Sequence, residues 1–297
     1  MEQIIEYCPG LIYKGVYNRA LTKYHVRLNR FHLFKYGYEN NQLKIIEYLE
    51  NEYLKNEYLE NELEDKLIFG IYFNLACKIG NVRVVKLMIE KGVTIWDRGL
   101  EGACEGGHID LVRLMIEKGA DCWNRGLEGA CRGGHLDLVQ LMIEKGATSW
   151  DWGLMGACEG GHLEIMKLMI EKGARDWNKG LRGACKGGHL GLVELIIEKG
   201  AWEWDRGLQG ACEGGHLEIV KLMIEKGATE WDWGIEGACL GGHMDLVELM
   251  IEKGVQGWDW GLLYACQGGH LDLVKLLIEK GATGRDENNG IFHIILN

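Results

Sequence analysis

No stretch of the 297-residue sequence holds the roughly 18 uninterrupted apolar residues that a membrane-spanning helix needs, so no such helix is expected. Basic charge is also short. There are 33 Lys and Arg against 44 Asp and Glu, a formal net charge of −11, which disfavours binding along a phosphate backbone and sets nucleic acid aside as a partner. Met1 to Gly10 carries acids early and no basic-then-apolar pattern, so a cytoplasmic location, or a nuclear one reached by diffusion, is expected. The sequence has no G-x-S-x-G and no phosphate loop ending in Gly-Lys-Ser/Thr, which argues against a serine hydrolase or a nucleotide-binding enzyme. Proline appears once.

Glycine is the opposite case, with 44 copies in a chain whose apolar fraction is an ordinary 47%. That much glycine weakens a fold unless it falls at fixed, useful positions. It does. Cys77, Cys104, Cys131, Cys158, Cys185, Cys212, Cys239 and Cys266 are spaced by a constant 27 residues. Trp96 through Trp258 and His108 through His270 keep the same step. The unit reads W-[DN]-x-G-[LI]-x-G-A-C-x-G-G-H-L-[DE]-L-V-x-L-M-I-E-K-G-A-x-x. A period of this size marks a solenoid, in which each unit buries its apolar face only against its neighbours.

Each unit is expected to hold two short helices. Asp97 has the chemistry of an N-cap, and a first helix through Leu100, Ala103 and Cys104 should stop at Gly106-Gly107. A second helix should start near His108, carry Asp110 in its first turn, and bury Ile109, Val112, Leu114, Met115 and Ile116. Gly119 should close it in the left-handed conformation.

The stretch Gly107-His108-Ile109-Asp110-Leu111-Val112-Arg113-Leu114-Met115-Ile116-Glu117-Lys118-Gly119-Ala120 resembles the G-H-x-[DE]-x-V-x-x-L-[LI]-x-x-G-A core of ankyrin repeats. The match recurs eight times between about Lys66 and Ala282. The resemblance implies an all-α, ankyrin-type α-solenoid of stacked helix pairs. Three departures mark it. The unit has 27 residues instead of 33, so the β-hairpin fingers are largely lost. The T-P-L-H opening is replaced by Arg98-Gly99-Leu100-Glu101. Gly102 and its equivalents stand where the family has a buried leucine, and the expectation is that the one Trp per unit fills the vacated space. Such shortened, glycine-rich arrays resemble those of large DNA viruses infecting amoebae or of their hosts; a viral chain would act in the host cytoplasm.

Three regions are expected. Residues 1–65 form an N-terminal helical region with a degenerate repeat and a pentad-repeat helix (Glu47-Tyr-Leu-Glu-Asn and its copies), either a duplicated extension or a partner-binding helix. Residues 66–282 form eight repeats, and residues 283–297 a partial repeat acting as C-terminal cap.

Cys104-x-x-x-His108 has the residue types of a zinc site. However, each Cys has its counterpart a full repeat away, roughly 10 Å by helix-packing distance, too far to share a metal or form a disulfide. Structural roles are expected for both residues, with His108 tying its turn to the neighbouring unit and the thiols reduced. No catalytic residue, cofactor or metal is expected.

Comparing units exposes the positions that the fold leaves free. On the first helix these are Arg98, Glu101, Glu105 and their equivalents, spaced to share one face. In ankyrin-type stacks this face lines the concave surface and usually holds the partner. Along the chain it gives Trp152 and Met155, a basic patch of Lys179, Arg182 and Lys186, then an apolar stripe of Trp233, Leu240, Trp260 and Leu263. Two readings stand: drift among duplicated units, or a surface for a protein partner anchored on the stripe and meeting the basic patch with acidic groups. The expected function is that of a monomeric scaffold or adaptor for protein–protein interaction. The alternative is a substrate-recruiting subunit of a ubiquitin ligase or other host-directed complex.

Overall fold

A computed structural model describes residues 63–90 and 92–283. The N-terminal region with its pentad repeat and the C-terminal cap expected above lie, but for a few residues, outside the described residues. The chain divides between Gly126 and Leu127 into two compact units.

The first unit contains α1 (Leu63–Lys78), α2 (Val82–Glu90), α3 (Trp96–Gly106), α4 (Ile109–Lys118) and the opening turn of α5 (Trp123–Gly133). The second holds the rest of α5, then α6 (Leu136–Glu144), α7 (Trp150–Gly160), α8 (Leu163–Lys172), α9 (Trp177–Gly187), α10 (Leu190–Glu198) and α11 (Trp204–Gly214). It continues with α12 (Leu217–Lys226), α13 (Trp231–Gly241), α14 (Met244–Glu252), α15 (Trp258–Gly268) and α16 (Leu271–Glu279). No strand occurs among the described residues. Each unit is therefore a run of ankyrin-type helix pairs, the odd-numbered helix being the first of its pair.

Local sequence sets the ends of these helices. Gly107 follows α3 at φ 76° and Gly119 follows α4 at φ 106°, the left-handed closure expected at both points. The second helices bury a narrower face than periodicity suggests. Leu111, Val112 and Met115 are buried and Leu114 and Ile116 half-buried, whereas Ile109 is 38% exposed. Ile109 is the first residue of α4 and sits at the open rim of the pair, ahead of the turn on which Leu111 and Val112 face inward.

Successive first helices pack directly on one another, α1 on α3 in the first unit and α7, α9, α11, α13 and α15 in order in the second. Glycine makes this contact possible. A Cβ at Gly102 would overlap the Asn74 carbonyl oxygen, and one at Gly183 the Met155 carbonyl oxygen. The space that leucine would need is thus closed by neighbouring backbone, and tryptophan does not fill it. Trp96 lies edge-on to Phe73 at 6.0 Å, while the Trp150 ring lies beside Gly173 at the end of its own unit's second helix. The expected exchange of Leu for Trp is overturned by this close approach. Tyr264 is the variant that tests the rule, since it occupies the Gly237 position on α15. There a Cβ at Gly268 would stand 2.5 Å from Leu240 O, while one at Gly241 would overlap Glu213 O. The α13–α15 contact is the wider one, and the tyrosine fits.

Two side chains replace the missing fingers. Asp97 is not the N-cap of α3, because the helix already begins at Trp96. Its Oδ1 instead accepts the backbone N–H groups of Asp121 and Cys122 at 3.0 and 2.9 Å, in the next connecting loop. Asp151, Asn178, Asp205 and Asp232 repeat the contact in the second unit. The histidines reach the other way. His108 Nε2 lies 3.0 Å from Lys78 O, and His189 Nε2 3.1 Å from Glu159 O. A carbonyl can only accept, so these rings carry their proton on Nε2.

Candidate partner-binding surface

The variable positions of the first helices form two rows. The outer row begins at the third residue of each helix and reads Trp152, Lys179, Arg206, Trp233, Trp260 through the second unit. The three tryptophans are 44%, 39% and 41% exposed. An aromatic ring left in water at a site where arginine and lysine serve equally well is not required by packing. Lys179 Nζ lies over the Trp152 ring, 5.1 Å from its centroid, and pairs with Asp176 at 2.8 Å. The carboxyl of Asp176 experiences opposing effects: burial raises its pKa, but the hydrogen bonds and charge of Lys179 prevail and hold it below the usual range.

The inner row is a ladder of alternating charge. Arg132 bridges Glu128 and Glu159 at 2.6 and 3.0 Å, and Lys186 bridges Glu159 and Glu213 at 3.1 and 2.8 Å. Arg182 reaches Glu213 at 3.6 Å. Burial alone would raise Glu159; the cations Arg132 and Lys186 outweigh it and hold the carboxyl below its ordinary pKa. Lys186 is the mirror case, since burial lowers it but Glu159 and Glu213 win and raise it. The expected basic patch of Lys179, Arg182 and Lys186 is therefore not free positive charge. Each of its cations is matched by an acid of the chain itself.

The apolar members of the face are also altered. Met155 and Leu240 are half-buried, and Leu263 is only 7% exposed. Leu263 shares its position with Glu101 and Arg182, but a side chain without a charge to keep wet lies down into the interior. It is removed from the docking residues. Trp202, which sequence comparison did not single out, is the most exposed of the chain's large described side chains of apolar type at 67%. It stands in the loop before α11 where other units have Asp121, Thr148 or Thr229, and that contrast was the available signal.

The repeated cysteines are packing residues. Cys104 and Cys158 are fully buried, and desolvation pushes their thiols up to about 12, so the thiolate that would bind metal or attack a carbonyl is not formed near neutral pH. Among the described residues no group of His, Cys, Asp or Glu converges as a metal site would require.

Family profiles match two stretches: ankyrin repeats (3 copies) over residues 100–180, and ankyrin repeats (many copies) over residues 235–278. The chain is an ankyrin-repeat protein. Comparison with curated proteins gives no match. The stretch between the two matches keeps the same contacts: its loops at Trp202 and Thr229 are held by Asn178 and Asp205, and His189 and His216 reach back to the preceding unit. Ankyrin repeats are general protein–protein interaction modules. No helix among the described residues is long and apolar enough to cross a membrane.

Proposed function

We propose that this ankyrin array is a non-enzymatic scaffold or adaptor that binds a protein partner through the first-helix face of its second unit, the side that is concave in ankyrin stacks. The observation that carries the reading is the row of exposed tryptophans, Trp152, Trp233 and Trp260, at a register where the fold accepts arginine or lysine. Tryptophan is the side chain most often found to dominate binding energy at protein interfaces. Half-buried Met155 and Leu240 extend the contact inward, and Trp202 adds an anchor at the loop edge. The net charge of −11 favours a protein over a nucleic acid. Buried cysteine thiols, one per helix pair, suit action in a reducing compartment, the cytoplasm.

The test is quantitative affinity capture with the full chain against a Trp152→Ala, Trp233→Ala, Trp260→Ala variant whose helical content matches the parent by circular dichroism. Proteins held by the parent should be lost from the variant. Equal recovery by both would refute the assignment of this face.

A further inference from the structure

The inner charge ladder leaves one acid unmatched. In the first unit, Glu101 pairs with Arg98 and Arg125, and Glu105 with Lys78. In the second, Glu128, Glu159 and Glu213 pair with Arg132, Lys186 and Arg182. Glu236, at the same register on α13, has no cation within ion-pair distance among the described residues. Its side chain accepts one hydrogen bond, from Gln209 Nε2 at 3.2 Å. Burial first, and then the charge of Asp232, push its carboxyl above the ordinary value. An unmatched, half-buried carboxylate is a cost that the fold does not require, because Gln209 holds the equivalent site on α11.

The outer row shows the same gap. Over Trp152 the following unit supplies a cation, Lys179. At the same register after Trp233 it carries Trp260 instead. Glu236 lies one helical turn beyond Trp233 on the same side of α13, so an aromatic face and a carboxylate share that side, and among the described residues neither is paired with a cation. The local sequence is acidic: from Ala228 to Gly269 there are seven acids and one base, Lys253, which is engaged over Trp231 at 5.8 Å, and the cation that precedes Trp233 in the outer row, Arg206, pairs with Glu203.

We infer that the α13–α15 end of the first-helix face takes a lysine- or arginine-bearing segment of a partner protein, its cation set against the Glu236 carboxylate and the Trp233 ring. Charge complementarity chooses this occupant. A cation there regains the ion pair and the cation–π contact that the earlier repeats make internally. An acidic or purely apolar segment would leave Glu236 desolvated and unmatched. The inference rests on the binding role proposed above.

A random twelve-residue peptide library displayed on phage and selected on the immobilised full chain tests it. Enriched peptides should carry lysine or arginine, and their affinity should fall about tenfold in Glu236→Gln and in Trp233→Ala. Glu164→Gln, an exposed change on a second helix, should leave affinity unaltered. The glutamine variant is nearly isosteric at a site with no ion pair, so its folding is secure, and circular dichroism checks the alanine variant. Enriched peptides that lack basic residues yet depend on Trp233 and Trp260 overturn the inference and leave the binding face standing. Peptides indifferent to Trp152, Trp233 and Trp260 overturn both. No enrichment, or basic peptides that bind Glu236→Gln as well as the parent, overturns the inference alone.

Discussion

The Asp205 carboxylate accepts the backbone N–H of Thr229, 24 residues later, at 2.7 Å. It also holds the next N–H, that of Glu230, at 2.9 Å. In this short repeat one side chain fixes the loop that a projecting hairpin would otherwise organise. Asp205→Ala leaves two N–H groups to water and frees the loop; unfolding in urea should show a loss of about 1–2 kcal/mol. Asp205→Asn should cost less, because Asn178 makes the same pair of contacts with its amide oxygen.

Two helical glycines should respond to alanine in opposite directions. Alanine is favoured over glycine within a helix by about 1 kcal/mol. At Gly191 on α10 a Cβ meets nothing within 4 Å, so Gly191→Ala should raise the urea midpoint. At Gly183 it overlaps the Met155 carbonyl oxygen of the preceding first helix. Gly183→Ala must push α9 from α7, and a net loss of about 1–3 kcal/mol is expected. A gain at Gly183 would show that the helix contact yields freely.

The acids of the inner row should give opposite pH responses. Glu159 has a folded-state pKa below its unfolded value, so its pair stabilises above the ordinary carboxylate range and that stability disappears as pH falls through the lowered value. Glu159→Gln should therefore lower the melting temperature at pH 7 and converge with the parent in acid. Glu236 is raised, so ionising it disfavours the folded state as pH rises through the ordinary range to the raised value. Glu236→Gln should melt higher than the parent at pH 7, with the advantage gone below the ordinary carboxylate range. Thermal scans between pH 3.5 and 7, as an approximate window around carboxylate titration, decide both.

Thiol chemistry should separate the cysteines by burial. Cys104, Cys158 and Cys212 are buried, with thiols pushed up to about 12 by desolvation, whereas Cys122 is half-exposed. Iodoacetamide on the native chain near pH 8 should label Cys122 well ahead of these three, read by peptide mass spectrometry. Equal labelling would mean that the helix pairs open readily.

The helix pairs and their closing glycines were legible because their causes are local: Gly107 and Gly119 follow helices whose apolar period is plain in ten residues. The reason for Gly102 was not legible, since the atom it avoids belongs to Asn74, a full unit earlier. Asp97 misled for a related reason. Its position fits a capping rule written for neighbours in sequence, but its partners are Asp121 and Cys122. Along the first-helix face, variation between units marked Trp152, Trp233 and Trp260 as solvent-facing, and they are exposed. It could not show that Lys186 already spends its charge on Glu159 and Glu213, nor that Leu263 turns inward. Pairing and side-chain direction depend on which residues adjacent units bring alongside.

The histidine contact reaches 30 residues back and the carboxylate contact 24 residues forward, and both recur with the 27-residue step. Joints built on this pair of contacts are chemically interchangeable with one another. A recombination that excises residues 177–203, or copies them in tandem, would bring a ready donor against a ready acceptor at the new seam. The reach of such a molecule can thus change in whole increments within a lineage while the pattern of its outward residues is reshuffled, like beads restrung on the same clasp.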